Sequence, residues 1–382
     1  MTFFALGFRP FFLGAGLYAA IATLLWLLAW SGVIDPALPL SPAYWHGHEM
    51  LFGFAAAGLT GFLLTAVPSW TDTGPVRGAR LVILFALWLA ARVLAWSEAG
   101  PIFSIVDSLF LPLLIAFVAP GILARNAKRN GVIVLLLGLL AVANIAFHAE
   151  AADLVGSGAR WGLYLALDLF VLFLTLIGGR IVPAFTIGGM RMAGEPVAIA
   201  PIAWLDRASI LSAAAVAATE ALLPQSLALS LVAALAALLN GARFLRWQGW
   251  RTWSVPLVFV LHLGYAWLVI GLALKALAAG GLIAPAIASH SLTAGAVGTM
   301  ILAVMSRASL GHTGRKLEAD RATALAYGFV TLGAVLRVAG PWTDFAADAI
   351  LAAGLAWAAG YALFAIRFWP ILTRPRIDGR PG

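Results

Sequence analysis

Trp45-His46-Gly47-His48-Glu49-Met50 opens an apolar run, Leu51-Phe52-Gly53-Phe54-Ala55-Ala56-Ala57, that continues to Val67. A bilayer core of about 30 Å is crossed by roughly 17–25 mostly apolar helical residues. His46–Val67 has that length, so it reads as a membrane span. Two imidazoles, a carboxylate and a thioether stand at its mouth. Ionisable groups beside hydrocarbon cost free energy, and where they persist they line a site or a pathway.

The rest of the chain agrees with this reading. Of its 382 residues, 63% are hydrophobic and 10% charged, against about 25% charged in a soluble domain. Such a chain cannot cover itself with polar surface. Applied along the sequence, the same ruler gives about twelve spans. They are Phe11–Ile34, His46–Val67, Leu81–Trp96, Ser104–Ala124, Gly131–Asp153, Gly162–Thr186, Ala208–Leu223, Gln225–Trp247, Leu257–Ala279, Ile283–Ser306, Thr323–Gly340 and Ala346–Leu372. The expectation is an all-α, polytopic transmembrane helical bundle, one domain over residues 1–382. Pro183 is expected to end or kink the sixth span, because proline removes a helix donor. The first apolar run lacks a small-residue cleavage pattern and reads as a retained span. There is no cysteine, which excludes disulfides, thiolate metal sites and c-type haem attachment.

The net charge of +8 belongs to membrane flanks rather than to a nucleic-acid surface, since no soluble basic domain exists to carry one. All but Arg92, Arg160, Lys275 and Arg337 of the 24 Lys and Arg residues fall on one face. With an even number of spans, that segregation puts both termini in the cytoplasm.

Orientation then gives each polar residue a depth. His46 and His48 open the second span at the outer face, His148 closes the fifth at that face, and His290 lies about two turns into the tenth. Glu49, Arg92, Asp107, Asn144, Glu150 and Asp168 come at similar depth. Taken singly, each histidine is as well explained by an interfacial hydrogen bond. Together with carboxylates and an amide, His46, His48, His148 and His290 read as metal ligands, with Glu49, Asn144 and Asp168 as hydrogen-bond partners or proton path, and Glu49, Glu150, Asp168 or Asp107 as proton carriers. Helix residues two apart point about 200° apart, so His46 and His48 cannot share one ion on a regular helix. Either His46 precedes the helix proper, with Gly47 relaxing the backbone, or the two serve different centres. Small residues follow both histidine sites, from Gly53 to Gly61 and from Ala294 to Gly298. They suit a flat cofactor beside its ligand, and equally suit ordinary helix packing.

Several segments resemble the NnrS family: Gly7–Phe12, Trp45–Phe54, Gly61–Thr71, Gly178–Thr186, His290–Thr293 and, most specifically, Met300–Arg315. Ser69 stands where the family pattern usually has Asn. The last two spans add no recognisable motif. The resemblance implies a bacterial inner-membrane protein containing haem and copper, associated with denitrification genes and protection from nitric oxide. With no cysteine, the haem would be b-type. Nitric oxide or a related small molecule would be the ligand, the lipid bilayer the surroundings, with an unidentified electron donor. The family's inner-face motifs bring a second candidate group, Arg9, Arg180, Arg307, His312 and Arg315, whose guanidiniums suit haem propionates and equally suit a basic cytoplasmic flank. His262 is the intramembrane imidazole nearest them. A secondary transporter with proton- or ion-coupling carboxylates is the rival reading.

Overall fold

A computed structural model describes residues 2–34, 40–97 and 99–380. Eleven main helices carry them: α1 (Phe8–Trp30), α2 (Pro42–Thr71), α3 (Ala79–Leu94), α4 (Gly100–Ala151), α5 (Gly158–Met192), α6 (Ala203–Leu222), α7 (Leu227–Leu245), α8 (Pro256–Ala279), α9 (Pro285–His312), α10 (Arg321–Ala339) and α11 (Ala346–Thr373). No strand occurs among the described residues. The chain is a polytopic transmembrane helical bundle.

Nine of these helices are long and apolar enough to cross a membrane, short of the expected twelve. The physical reasons lie in three helices. α3 has only 16 residues, and α6 carries Asp206, Arg207, Ser209, Ser212, Thr219 and Glu220 along its length. α4 runs for 52 residues but leaves helical geometry at Asn126 (φ −146°, ψ 28°). The Asn126 side chain there donates to the Trp70 carbonyl at 2.8 Å. A straight helix would hold Asp107 and Asn144 about 56 Å apart at 1.5 Å per residue. Instead Asn144 Nδ2 lies 2.7 Å from Asp107 Oδ2, so α4 folds back on itself at Asn126.

Three helices contain a wider π turn: Glu49–Ala55 in α2, Leu174–Gly178 in α5 and Ser291–Gly298 in α9. A π turn interrupts the regular i→i−4 ladder and loosens the hold on nearby carbonyls. In each case a buried donor reaches one of them. Trp88 Nε1 donates to Gly53 O at 2.9 Å, and Arg243 Nη1 to Thr175 O at 2.8 Å. Trp357 Nε1 and the Tyr361 hydroxyl take Ala294 O and Gly298 O at 3.2 and 2.7 Å. Pro183 does not end α5, which continues to Met192. The irregular turn lies just before the proline instead.

Packing divides the chain into two compact units. The first comprises Met1–Ala166, Met305–Lys316 and Phe364–Gly382. Phe8, Phe11 and Phe12 of α1 are fully buried there, and a Cβ on Gly61 would come within 2.6 Å of the Phe12 ring. Arg9 Nη1 donates to the carbonyls of Leu372 and Arg374 at 2.9 and 2.8 Å, closing the C-terminal end of α11. Such carbonyls lack partners inside the helix, and a cation satisfies them well. The second unit comprises Leu167–Val304 and Leu317–Leu363. Its buried polar core links Arg243, Asp206, Tyr265 and Asn240.

Candidate metal centre

Pro42 begins α2 behind Ser41, whose hydroxyl caps Tyr44 N–H, so the helix is already regular when it reaches His48. The π turn starts at the next residue, Glu49. His48 Nδ1 lies 2.7 Å from Glu49 Oε1. The same glutamate accepts from the Tyr18 hydroxyl of α1 and from Arg92 Nη1 of α3. Arg92 also pairs with Asp107 of α4, so its guanidinium bridges the two carboxylates. Gly53 makes the bridge possible: a Cβ there would sit 2.7 Å from Arg92 Nη1 and from the Tyr18 ring.

The returning half of α4 brings Asn144 and His148, four residues apart and therefore on one helix face. Three groups meet at Asp107 Oδ2: Asn144 Nδ2 at 2.7 Å, His148 Nε2 at 3.0 Å and His48 Nε2 at 3.2 Å. Asn144 Oδ1 also lies 3.0 Å from His48 Nε2. His48 and Glu49 are wholly buried, and Asp107, Arg92, Asn144 and His148 are no more than 4% exposed. One donor atom each from His48, Asp107 and His148 lies within 4.8 Å of the other two.

This arrangement has a definite chemistry. If His48 gives its Nδ1 proton to Glu49, its Nε2 lone pair faces two oxygens, Asp107 Oδ2 and Asn144 Oδ1. That contact is repulsive without a positive centre between them. A proton supplies one, and a metal ion supplies another. A carboxylate behind the far nitrogen of a ligating imidazole is the usual support for a metal-bound histidine. Tetrahedral ligand atoms on bonds of about 2.0–2.2 Å stand roughly 3.3–3.6 Å apart, close to the 3.0 and 3.2 Å from the imidazoles to Asp107. Glu49 and Asp107 against Arg92 leave one formal negative charge, which a bound cation offsets. His148 Nδ1 has no partner among the described residues. The donor set fits a metal ion.

The other sequence candidates are placed elsewhere. His46 lies inside α2, so Gly47 does not break the helix, and its ring stacks on Trp26 at 4.5 Å. His290 belongs to the second unit, where its Nδ1 lies 2.7 Å from the Ala286 carbonyl one turn back. Asp168 is also in the second unit, with Lys275 Nζ 2.7 and 2.8 Å from its two oxygens. Lys275 reaches Glu220 as well, at 3.0 Å. His262 Nε2 lies 2.8 Å from Thr186 Oγ1. Of the inner-face group, Arg9, Arg307, His312 and Arg315 are in the first unit and Arg180 in the second. Arg9 grips the end of α11. The His312 ring packs on Phe8 at 5.6 Å, and its carbonyl accepts from Arg376 at 2.7 Å. Arg180 and Arg307 are half-buried, and Arg315 Nη1 lies 3.5 Å from Thr313 O.

The small residues after the histidines are covered by protein side chains. Trp267 lies against Gly295 and Trp357 against Gly298, as Phe12 and Arg92 do against Gly61 and Gly53. These four glycines pack against side chains of neighbouring helices. Sequence reasoning placed Arg92 at the right depth without assigning it to the site, named Asp107 as a proton carrier and not as a ligand, and missed Tyr18. The available signal was charge: an intramembrane arginine demands carboxylates, and Glu49 and Asp107 were at hand.

Fold and site together define a polytopic helical membrane protein with a buried His/Asp/His cluster suited to a metal. Over residues 2–376 the chain matches the family described as NnrS protein. It belongs to that family. The match includes the last two spans, where no motif is recognisable. No curated protein matches the chain.

Proposed function

We propose that this chain is a haem- and copper-binding inner-membrane protein of nitric oxide metabolism or nitrosative-stress protection, binding or reducing nitric oxide. The observation that carries the metal reading is the meeting of His48 Nε2 and His148 Nε2 on one oxygen of Asp107. Copper suits a nitrogen-rich site without thiolate. Bound there, it would supply a redox-active centre that takes a small diatomic ligand.

The protein's own part follows from the contacts. Glu49 fixes the His48 ring and its tautomer, Arg92 holds Glu49 and Asp107 in register, and Asn144 orients the shared carboxylate. Burial excludes water. Family membership, with no cysteine for covalent attachment, supports a b-type haem. Reduction of nitric oxide requires electrons from an external donor. The topology proposed is twelve crossings, counting α4 twice and including α3 and α6, with both termini cytoplasmic. A secondary transporter finds less support: Glu49 and Asp107 are held by Arg92, and Asp168 and Glu220 by Lys275.

The test is purification of the full chain with adequate haem and copper supply. Copper bound per protein, a reduced haem spectrum extractable by acidified acetone, and spectral change on nitric oxide addition are the expected results. A colourless, copper-free folded protein defeats the proposal. Reporter fusions after Arg129 and Arg251 should read cytoplasm, and one after Gly156 periplasm.

A further inference from the structure

The first unit holds a cavity of about 450 Å³ between the C-terminal end of α2, the N-terminal end of α3 and the stretch of α4 just before its fold-back. Its apolar lining is the half-buried Val76 and Phe117 and the buried Val67 and Val118, and Arg77 and Arg80 line it as well. Both arginines are exposed, and neither forms an ion pair among the described residues. The nearest acid in this loop, Asp72, already faces Arg125 at 3.9 Å. Gly74 and Gly78 leave open space, since a Cβ at either would meet nothing within 4 Å.

Two guanidiniums without carboxylate partners, beside an apolar wall, make an amphipathic receptor. Guanidinium binds phosphate oxygens in charge-assisted, forked contacts. The apolar wall matches a hydrocarbon chain. Location decides the source: the cavity lies where α2 ends, α3 begins and α4 turns back, which is the border of the apolar helices. Basic pockets between membrane helices bind anionic headgroups. We propose that this cavity binds an anionic phospholipid, its phosphate between Arg77 and Arg80 and an acyl chain along Val76 and Phe117. The site is separate from the His48 cluster and does not depend on what that cluster binds.

The experiment uses the full chain in nanodiscs of phosphatidylcholine with and without phosphatidylglycerol, read by native mass spectrometry and lipid titration. The comparison is wild type against Arg77→Gln/Arg80→Gln, with Arg125→Gln as a neighbouring control. Each basic residue near an anionic surface contributes about 1 kcal/mol, so the double variant should bind phosphatidylglycerol about thirtyfold more weakly. The Arg125 variant should change little. Equal retention by wild type and the double variant overturns the proposal. So does displacement by inorganic phosphate with no preference for phosphatidylglycerol over phosphatidylcholine, which would make the occupant a soluble anion.

Discussion

Each unit buries two carboxylates against one basic side chain, and the two clusters end in different chemistry. In the second unit, Lys275 Nζ sits on both oxygens of Asp168 and on Glu220. The ammonium is itself the cation that the carboxylates surround. In the first unit, Arg92 spans Glu49 and Asp107 side-on and leaves Asp107 Oδ2 facing two imidazoles and an amide. Lysine is a compact point charge that fills such a position, whereas the planar guanidinium forks across its partners and leaves room beside them. The lesson is that the count of buried charges does not identify a metal site. What identifies it is a shared oxygen with lone-pair donors still aimed at it.

The largest effect should come from removing the built-in cation. Lys275→Met leaves Asp168 and Glu220 buried together, a loss of about 3–5 kcal/mol of the kind seen when one buried partner is deleted. Unfolding in detergent measures it. Changing Asp168 and Glu220 to apolar residues in the same protein should recover most of that loss, and copper content per folded protein should be unchanged throughout. Copper loss with Lys275→Met in folded protein would erase the contrast between the clusters.

Ligand removal comes next. His148→Ala should weaken copper binding by more than the roughly 10–100-fold typical of losing a hydrogen-bond partner of a ligand. Glu49→Gln should fall within that 10–100-fold range, because the amide still holds the His48 ring but less firmly. Equal losses from the two variants would remove the distinction between ligand and support.

A smaller effect separates the clusters by packing. Gly53→Ala pushes a methyl against Arg92 and Tyr18, and Gly295→Ala pushes one against Trp267. Each should cost about 1–3 kcal/mol as overpacking. Only Gly53→Ala should also lower copper affinity.

The smallest effect is at the C-terminal tail, where Arg376 pairs with Asp378 and Ile377 N–H reaches Thr313 O at 3.3 Å. The arginine beside it holds the Asp378 carboxyl below its ordinary value. A lowered folded value means the pair contributes fully above the free carboxylate range, near pH 3.9. The contribution fades as pH falls through the lower folded value. Protection of the Ile377 amide should therefore be full and steady above pH 5 and fall in acid, while Asp378→Asn should show the loss at every pH.

Much of the fold was legible in the apolar runs, because bilayer thickness imposes their length. The break at Pro224 is there, with Ser226 capping α7 through Leu229 N–H at 3.1 Å. The π turns were not legible, since Glu49–Ala55 and Ser291–Gly298 read as ordinary helix by composition. Part of the site was visible too: His48, His148, Glu49 and Asn144 were grouped by depth alone. Depth gives no azimuth, however, so His46 and His290 were grouped with them. The role of Asp107 depends on the fold-back at Asn126, a tertiary event that periodicity does not encode.

The most direct test of the account is X-ray absorption on copper-loaded full-length protein, comparing wild type with His148→Ala and His290→Ala. Two imidazoles and an oxygen donor are expected in wild type, one fewer imidazole after His148→Ala, and an unchanged copper spectrum after His290→Ala. A copper spectrum indifferent to His148 but altered by His290 would contradict it and move the metal into the second unit.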